Sequence, residues 1–252
     1  DETAAAVIRN GREIMSNIVA TQIEIHKKFG GVVPEVASRN HVVDINPVIE
    51  SALSEAGMSL EDIDVIAATY GPGLVGALLV GLSTAKALAY ATAKPFVGVN
   101  HIQGHIAANY LAFPELEPPF ISLIVSGGHT HIVEVKDYNE IEIIGKTRDD
   151  AAGEAYDKVG RVLHLPYPGG PVLDKMAHEG THSYTLPKPL DDGSYNFSFS
   201  GLKSAVINLK HNADQRGEEI NGNDLACSFQ ETAIDCLLQR VEKESSRSYP
   251  LL

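Results

Sequence analysis

At 252 residues and about 150 residues per domain the chain gives about 1.7 domains, so one large domain or two lobes is expected. Its 44% hydrophobic and 21% charged residues are those of a globular protein and exclude a disordered or collagen-like chain. The net charge of −13 leaves no overall positive field for nucleic acid, so an RNA substrate would call for help from another protein.

In chain order, the apolar runs Ala4 to Ile8 and Ile14 to Ile18 flank Asn10-Gly11, a hairpin dipeptide, and predict an antiparallel start. Val42, Ile45, Ile49, Leu53 and Ala56 follow a helical face from His41, with Gly57 placed just past the C-cap. Ser59 and Asp62 form a capping pattern, Val65 to Thr69 reads as a buried strand, and Gly73 to Tyr90 as a helix apolar nearly all round. Strand, glycine turn and buried helix are an α/β signature. A strand at Phe96 to Val99 feeds Asn100, the N-cap of a helix from His101 to Leu111.

Pro114, Pro118 and Pro119 break the chain, and the lobe boundary is set there, giving units 1–117 and 118–252. Strands at Phe120 to Ser126, His129 to Val135 and Ile141 to Lys146 restart the pattern. Helices follow at Ala151 to Leu163, Val172 to His178, Ser200 to Leu209 and Asn223 to Ser245, with a Pro/Gly turn from Pro166 to Pro171. Asp149 and Asp150 are read as helix N-capping charges. The chain begins at Asp1 without Met and stops at Tyr249-Pro250-Leu251-Leu252, an apolar run like a strand just starting, so both ends read as truncated. Two cysteines, Cys227 and Cys236, make no disulfide framework, and no signal peptide or membrane span is found. Both point to the cytoplasm.

His101 and His105, four apart on a helix, project from one face and could share a metal ion, or form ordinary hydrogen bonds. Ile102 stands where a zincin has its general-base Glu, which counts against peptide hydrolysis. Gly71-Pro-Gly73-Leu-Val-Gly76 outlines a dinucleotide turn, yet Phe96 to Val99 supply no ribose-holding acid, so close helix-to-sheet packing is the better reading. Ser126-Gly127-Gly128 between two strands offers successive amides to a phosphate or carboxylate, or is simply a tight turn. Asp157 and Asp174 lie near chain reversals, where each could hold a ribose hydroxyl, cap a helix or be a solvated charge.

Taken together, Gly31-Val-Val-Pro-Glu35, Ala37-Ser-Arg-Asn-His41, Tyr70-Gly-Pro-Gly73, Asn100-His-Ile-Gln-Gly-His105, Val125-Ser-Gly-Gly-His-Thr130, Asp150-Ala-Ala-Gly-Glu-Ala-Tyr-Asp-Lys158 and Phe197-Ser-Phe-Ser-Gly-Leu-Lys203 closely resemble the TsaD family. These are tRNA threonylcarbamoyladenosine transferases, once described as sialoglycoprotein endopeptidases. The resemblance implies an α/β, two-lobed actin, Hsp70 and sugar-kinase (ASKHA) fold, each lobe a ribonuclease-H-like mixed sheet with helices.

It further implies transfer of a threonylcarbamoyl group from threonylcarbamoyl-adenylate to tRNA. His101 and His105 resemble the family's ligands to one divalent metal, iron or zinc. Ile124, Val125, Ser126, Gly127 and Gly128 resemble its adenylate segment, which could also hold ATP or ADP. Asp157, Gly170 and Asp174 resemble its other nucleotide contacts. Ile124, where the archaeal branch has a tyrosine ligand, points to a bacterial member. Glu2 and His129 are candidate general bases by position and residue type only. The family's opening strand should precede Asp1, and its C-terminal segment, with an adenine-contacting Asn and a third metal-ligating Asp, should follow Leu252. The implied partners are tRNA, a TsaB-like paralogue and a TsaE-like ATPase, with no membrane. The alternatives are an ATP-dependent small-molecule kinase of the same superfamily and a noncatalytic nucleotide-binding scaffold.

Overall fold

The computed structural model describes residues 2–188 and 192–244; the apolar run Tyr249 to Leu252 lies outside the described residues. Strands and helices build two compact units, Asp1–Leu116 and Glu117–Leu252, each opening with strands before helices.

In the first unit, β1 (Glu2–Arg9) and β2 (Glu13–Thr21) pair antiparallel, from Glu2 opposite Thr21 to Arg9 opposite Glu13. Asn10 and Gly11 make the turn at φ 52° and 70°, the left-handed values these residues tolerate. After the short α1 (Ile23–Lys27) comes α2 (Pro34–Ala56), which starts seven residues before the expected His41. Pro34 occupies the first turn, where its ring-fixed φ suits a helix and its missing N–H costs nothing. Gly57 ends the helix at φ 65°. A 3-10 turn, Leu60–Asp62, is capped by the Asp62 carboxylate, which accepts from the Ser59 amide at 2.9 Å and hydroxyl at 2.8 Å. Then β3 (Ile66–Gly71), α3 (Val75–Ala91) and β4 (Phe96–Asn100) form a parallel strand–helix–strand unit, and α4 (His101–Ala112) follows directly.

Beneath α2 runs a buried polar chain. Thr3 Oγ1 lies 2.8 Å from His41 Nδ1, Gln22 Nε2 reaches the same nitrogen at 3.2 Å, and Gln22 Oε1 lies 3.2 Å from His26 Nε2. All four side chains are buried. His41 Nδ1 is the acceptor here, because Gln22 Nε2 can only donate. Burial first, against the opposing pull of Asp44 and Glu2, holds the His41 pKa below its ordinary value. A histidine so depressed supports the fold fully above its unfolded pKa near 6.5, and that support is lost as pH falls from there through the folded value. We therefore expect denaturant unfolding at pH 5.5 to show lower stability than at pH 7.5, and His41→Gln to flatten that difference.

The second unit opens with the antiparallel meander β5 (Phe120–Val125), β6 (Thr130–Asp137) and β7 (Glu140–Lys146). Helices α5 (Ala152–Val162), α6 (Gly170–Glu179), α7 (Ser200–Arg216) and α8 (Gly222–Glu244) complete it. Ile121, Ile132, Val159, Leu173, Phe199, Leu202, Val206, Leu225 and Phe229 are buried together as its core.

Asp149 is a helix cap in this unit, on a helix distant in sequence. It caps α7 rather than α5: Oδ1 accepts from the amides of Phe199 (2.8 Å) and Ser200 (3.2 Å), and Oδ2 from the hydroxyls of Ser198 (2.5 Å) and Ser200 (2.7 Å). Asp150 turns instead to Lys158, at 2.6 Å. The amides that open α5 are met by Thr130 Oγ1, 2.9 Å from Ala152 N, and by Ser126 O, 3.1 Å from Gly153 N. Partial burial raises the Asp149 pKa, but its hydrogen bonds outweigh this and leave it lowered. Asp149→Ala should destabilise this unit by about 1–2 kcal/mol at pH 7 by loss of the cap. That difference should begin to shrink as pH falls below the unfolded carboxylate's value of about 4 and vanish as it passes through the lower folded value, and denaturant midpoints across pH measure it.

Candidate functional site

The His101 and His105 pair follows from local rules. Asn100 accepts from the Ile102 amide at 2.9 Å, starting α4 so that His101 occupies its first position. One turn later His105 lies above it, and the two Nε2 atoms are 3.1 Å apart, with the rings edge-on at 4.5 Å between centroids. A tetrahedral metal with nitrogen ligands at 2.0–2.1 Å wants adjacent nitrogens about 3.3 Å apart, so this pair fits two positions of such a site. Among the described residues no third His, Cys, Asp or Glu joins them in a metal-binding group.

In the second unit the Ser126 to Gly128 turn joins β5 and β6. The Ser126 amide donates to His129 O at 2.8 Å, and the His129 amide donates to Ser126 Oγ at 3.1 Å. The amides of Gly127 and Gly128, by contrast, donate to no acceptor among the described residues, and both glycines are exposed. Ile124 is buried in β5 and anchors the turn, while Val125 is exposed at its edge. Gly153, at the start of α5, sits hard against this turn: a Cβ there would lie 2.8 Å from Ser126 O and Gly127 Cα, and 2.9 Å from Gly127 N. The positive end of α5 is thereby held beside two free amides, an arrangement that attracts an anion.

On one flank of α5, Asp157 Oδ1 accepts from the amides of Gly169 (2.9 Å) and Gly170 (3.2 Å) and caps α6. Half of the Asp157 carboxylate is thus structural. Gly160 permits this approach, since a Cβ on it would stand 3.1 Å from Gly169 Cα. Asp174, one turn into α6, accepts from Gln230 Nε2 at 2.9 Å. Near it the Tyr156 phenol, desolvated first and facing the Asp174 charge second, is pushed up to about 12 and stays protonated.

The two candidate bases fall in different units. Glu2 is exposed at the start of β1. His129 is half-buried at the foot of β6, its ring 5.6 Å from that of His131, whose pKa is lowered by burial and by His129.

A model of the family TsaD, tRNA N6-adenosine threonylcarbamoyltransferase, matches residues 13–250. The chain belongs to the TsaD family. It is 60% identical over 245 residues to the tRNA N6-adenosine threonylcarbamoyltransferase of Clostridioides difficile (strain 630), covering 96% of this chain and 72% of that one. It is 58% identical over 240 residues to the enzyme of the same name from Caldicellulosiruptor bescii, covering 95% and 71%. Among solved structures, a ROK hexokinase from Thermus thermophilus aligns with a TM-score of 0.47 at 14% identity, covering 99% of this chain and 88% of that one.

Every candidate residue but Glu2 falls inside the stretch that matches the TsaD model. Sequence reasoning missed Gly153, Thr130 and Gln230, which shape or border these constellations. Gly153 had a signal, a glycine in the first turn of a predicted helix; Gln230 had none. Its Oε1 is buried with no hydrogen-bond partner among the described residues, a spare acceptor on the amide that holds Asp174.

Proposed function

We propose that this chain transfers the threonylcarbamoyl group from threonylcarbamoyl-adenylate to the exocyclic N6 amine of the adenosine that follows the anticodon, in tRNAs that read codons beginning with A. The match to the TsaD model over residues 13–250 carries this reading, and it favours a transferase over the kinase and scaffold alternatives. Among the described residues no helix is long and apolar enough to cross a membrane, which accords with work in the cytoplasm.

In the reaction the N6 amine attacks the carbamoyl carbon, a C–N bond forms, the C–O bond to the adenylate phosphate breaks, AMP leaves and the amine loses a proton. The amides of Gly127 and Gly128 hold the adenylate phosphate and orient the donor, with Ile124, Val125 and Ser126 shaping the turn. Asp157 offers its second carboxylate oxygen to the ribose, and Asp174 and Gly170 border the same nucleotide. His101 and His105 would hold a divalent metal, iron or zinc, which when bound supplies Lewis-acid polarisation of the carbonyl. His129 and Glu2 are the residues to test as acceptors of the amine proton. Because the chain carries −13, tRNA capture is shared with a TsaB-like paralogue and a TsaE-like ATPase.

Equilibrium binding of a nonhydrolysable threonylcarbamoyl-adenylate analogue against ATP, with and without iron or zinc, tests the proposal. Tighter, metal-dependent binding of the analogue is expected; preference for ATP with magnesium would instead favour the kinase.

A further inference from the structure

Lys203, the last residue of the Phe197 to Lys203 motif, has no part in the nucleotide constellation. It lines a cavity of about 300 Å³ between α5 and α7, together with Lys158, Arg161, Val162 and Ile207. We propose that this cavity receives a backbone phosphate of the RNA substrate, an inference that rests on the transferase reading above.

In an acidic chain, the place where cations outnumber carboxylates decides where a polyanion touches. Asp150, only 14% exposed at its side chain, sits between the two lysines, 2.6 Å from Lys158 and 3.6 Å from Lys203, while Glu154 lies 2.8 Å from Lys158. These two carboxylates fix the ammonium groups in place without cancelling the site, because Arg161 adds a third cation. Arg161 is exposed, and no carboxylate stands within ion-pair distance of it among the described residues. Its guanidinium fork matches the geometry of two phosphate oxygens. About two turns past Lys203 on α7, Lys210 donates to Val162 O at 2.8 Å and extends the positive edge.

The lining is amphipathic, since Val162 and the 41% exposed Ile207 lie among the charges, as suits a sugar-phosphate segment better than a free inorganic ion. Asp157 and Gly160 do not line this cavity and are engaged instead with the Gly169-Gly170 turn. Arg161 lies eight residues past Gly153 on the same helix, about 12 Å along its axis. An RNA whose base meets the donor held at the Ser126 to Gly128 turn therefore has the Arg161 flank about 12 Å away along α5.

The test is the affinity of unmodified tRNA for the protein with its partner proteins, measured by anisotropy across a salt series. Arg161→Glu should weaken tRNA binding at least about tenfold at 0.15 M salt and reduce the slope of log affinity against log salt by about 1. Arg161→Lys, which keeps the charge but not the fork, should recover the salt slope and part of the affinity. Among the described residues Arg161 makes no ion pair, and unchanged binding of the adenylate analogue confirms an intact unit. Wild-type tRNA affinity and slope in Arg161→Glu would overturn the inference and leave the transferase reading standing. Loss of partner-protein binding with tRNA affinity kept would assign the cavity to a protein contact and overturn it as well. A wild-type assembly that binds no tRNA would overturn both.

Discussion

Replacing His101 and His105 together with alanine is expected to lower single-turnover threonylcarbamoyl transfer by at least about a thousandfold, equivalent to about 4 kcal/mol of barrier. The expectation rests on two Nε2 atoms 3.1 Å apart on one face of α4, a spacing that fits two corners of a tetrahedral metal site. A merely structural pair predicts something different. His105 is exposed, and an i, i+4 contact on a helix surface contributes about 0.2–0.5 kcal/mol, which the better helix propensity of alanine offsets. The double variant should thus keep its thermal midpoint within a few degrees of wild type while losing bound iron or zinc by elemental analysis. Full transfer activity in a metal-free double variant would refute the metal role.

The second large effect is expected at Gly153. An alanine Cβ would sit 2.8 Å from Ser126 O and Gly127 Cα and 2.9 Å from Gly127 N, and all three are backbone atoms that cannot rotate away. Either α5 or the Ser126 to Gly128 turn must shift, and overpacking of this kind costs about 1–3 kcal/mol. Binding of the adenylate analogue should weaken about 10- to 100-fold, because the two amides move off the line of the helix end. Gly201→Ala is the matched control: it lies in α7, a Cβ there meets nothing within 4 Å, and the change should be neutral or stabilising by about 0.5–1 kcal/mol. If Gly153→Ala binds the analogue as tightly as wild type, the turn is not where the phosphate is held.

Local signals carried the expected elements well where the governing rule acts over a few residues. The Asn10-Gly11 turn, the Ser59 and Asp62 cap and the Asn100 N-cap each depend on neighbours within about four positions, and each stands where it was read. The start of α2 was set too late because the apolar periodicity emerges only at Val42, whereas Pro34 already opens the helix. Asp149 reads from sequence as a helix N-capping charge, but which helix it caps is not legible there. Folding brings Phe199 and Ser200, fifty residues away, to its carboxylate.

The residue pattern by itself therefore determined the family, the opening of each unit with strands before helices, the spacing of His101 to His105, and the glycine pair at the β5–β6 turn. All of these are either conveyed by the order of motifs or dictated by helix and turn geometry. Tertiary structure alone decided that Asp157 spends one oxygen on the Gly169-Gly170 amides, that Gln230 holds Asp174, and that Lys158, Arg161 and Lys203 surround one cavity. Those groups meet only when α5, α6, α7 and α8 pack on a common core. Which carboxylate faces which amide or ammonium is a property of that packing rather than of any stretch of chain.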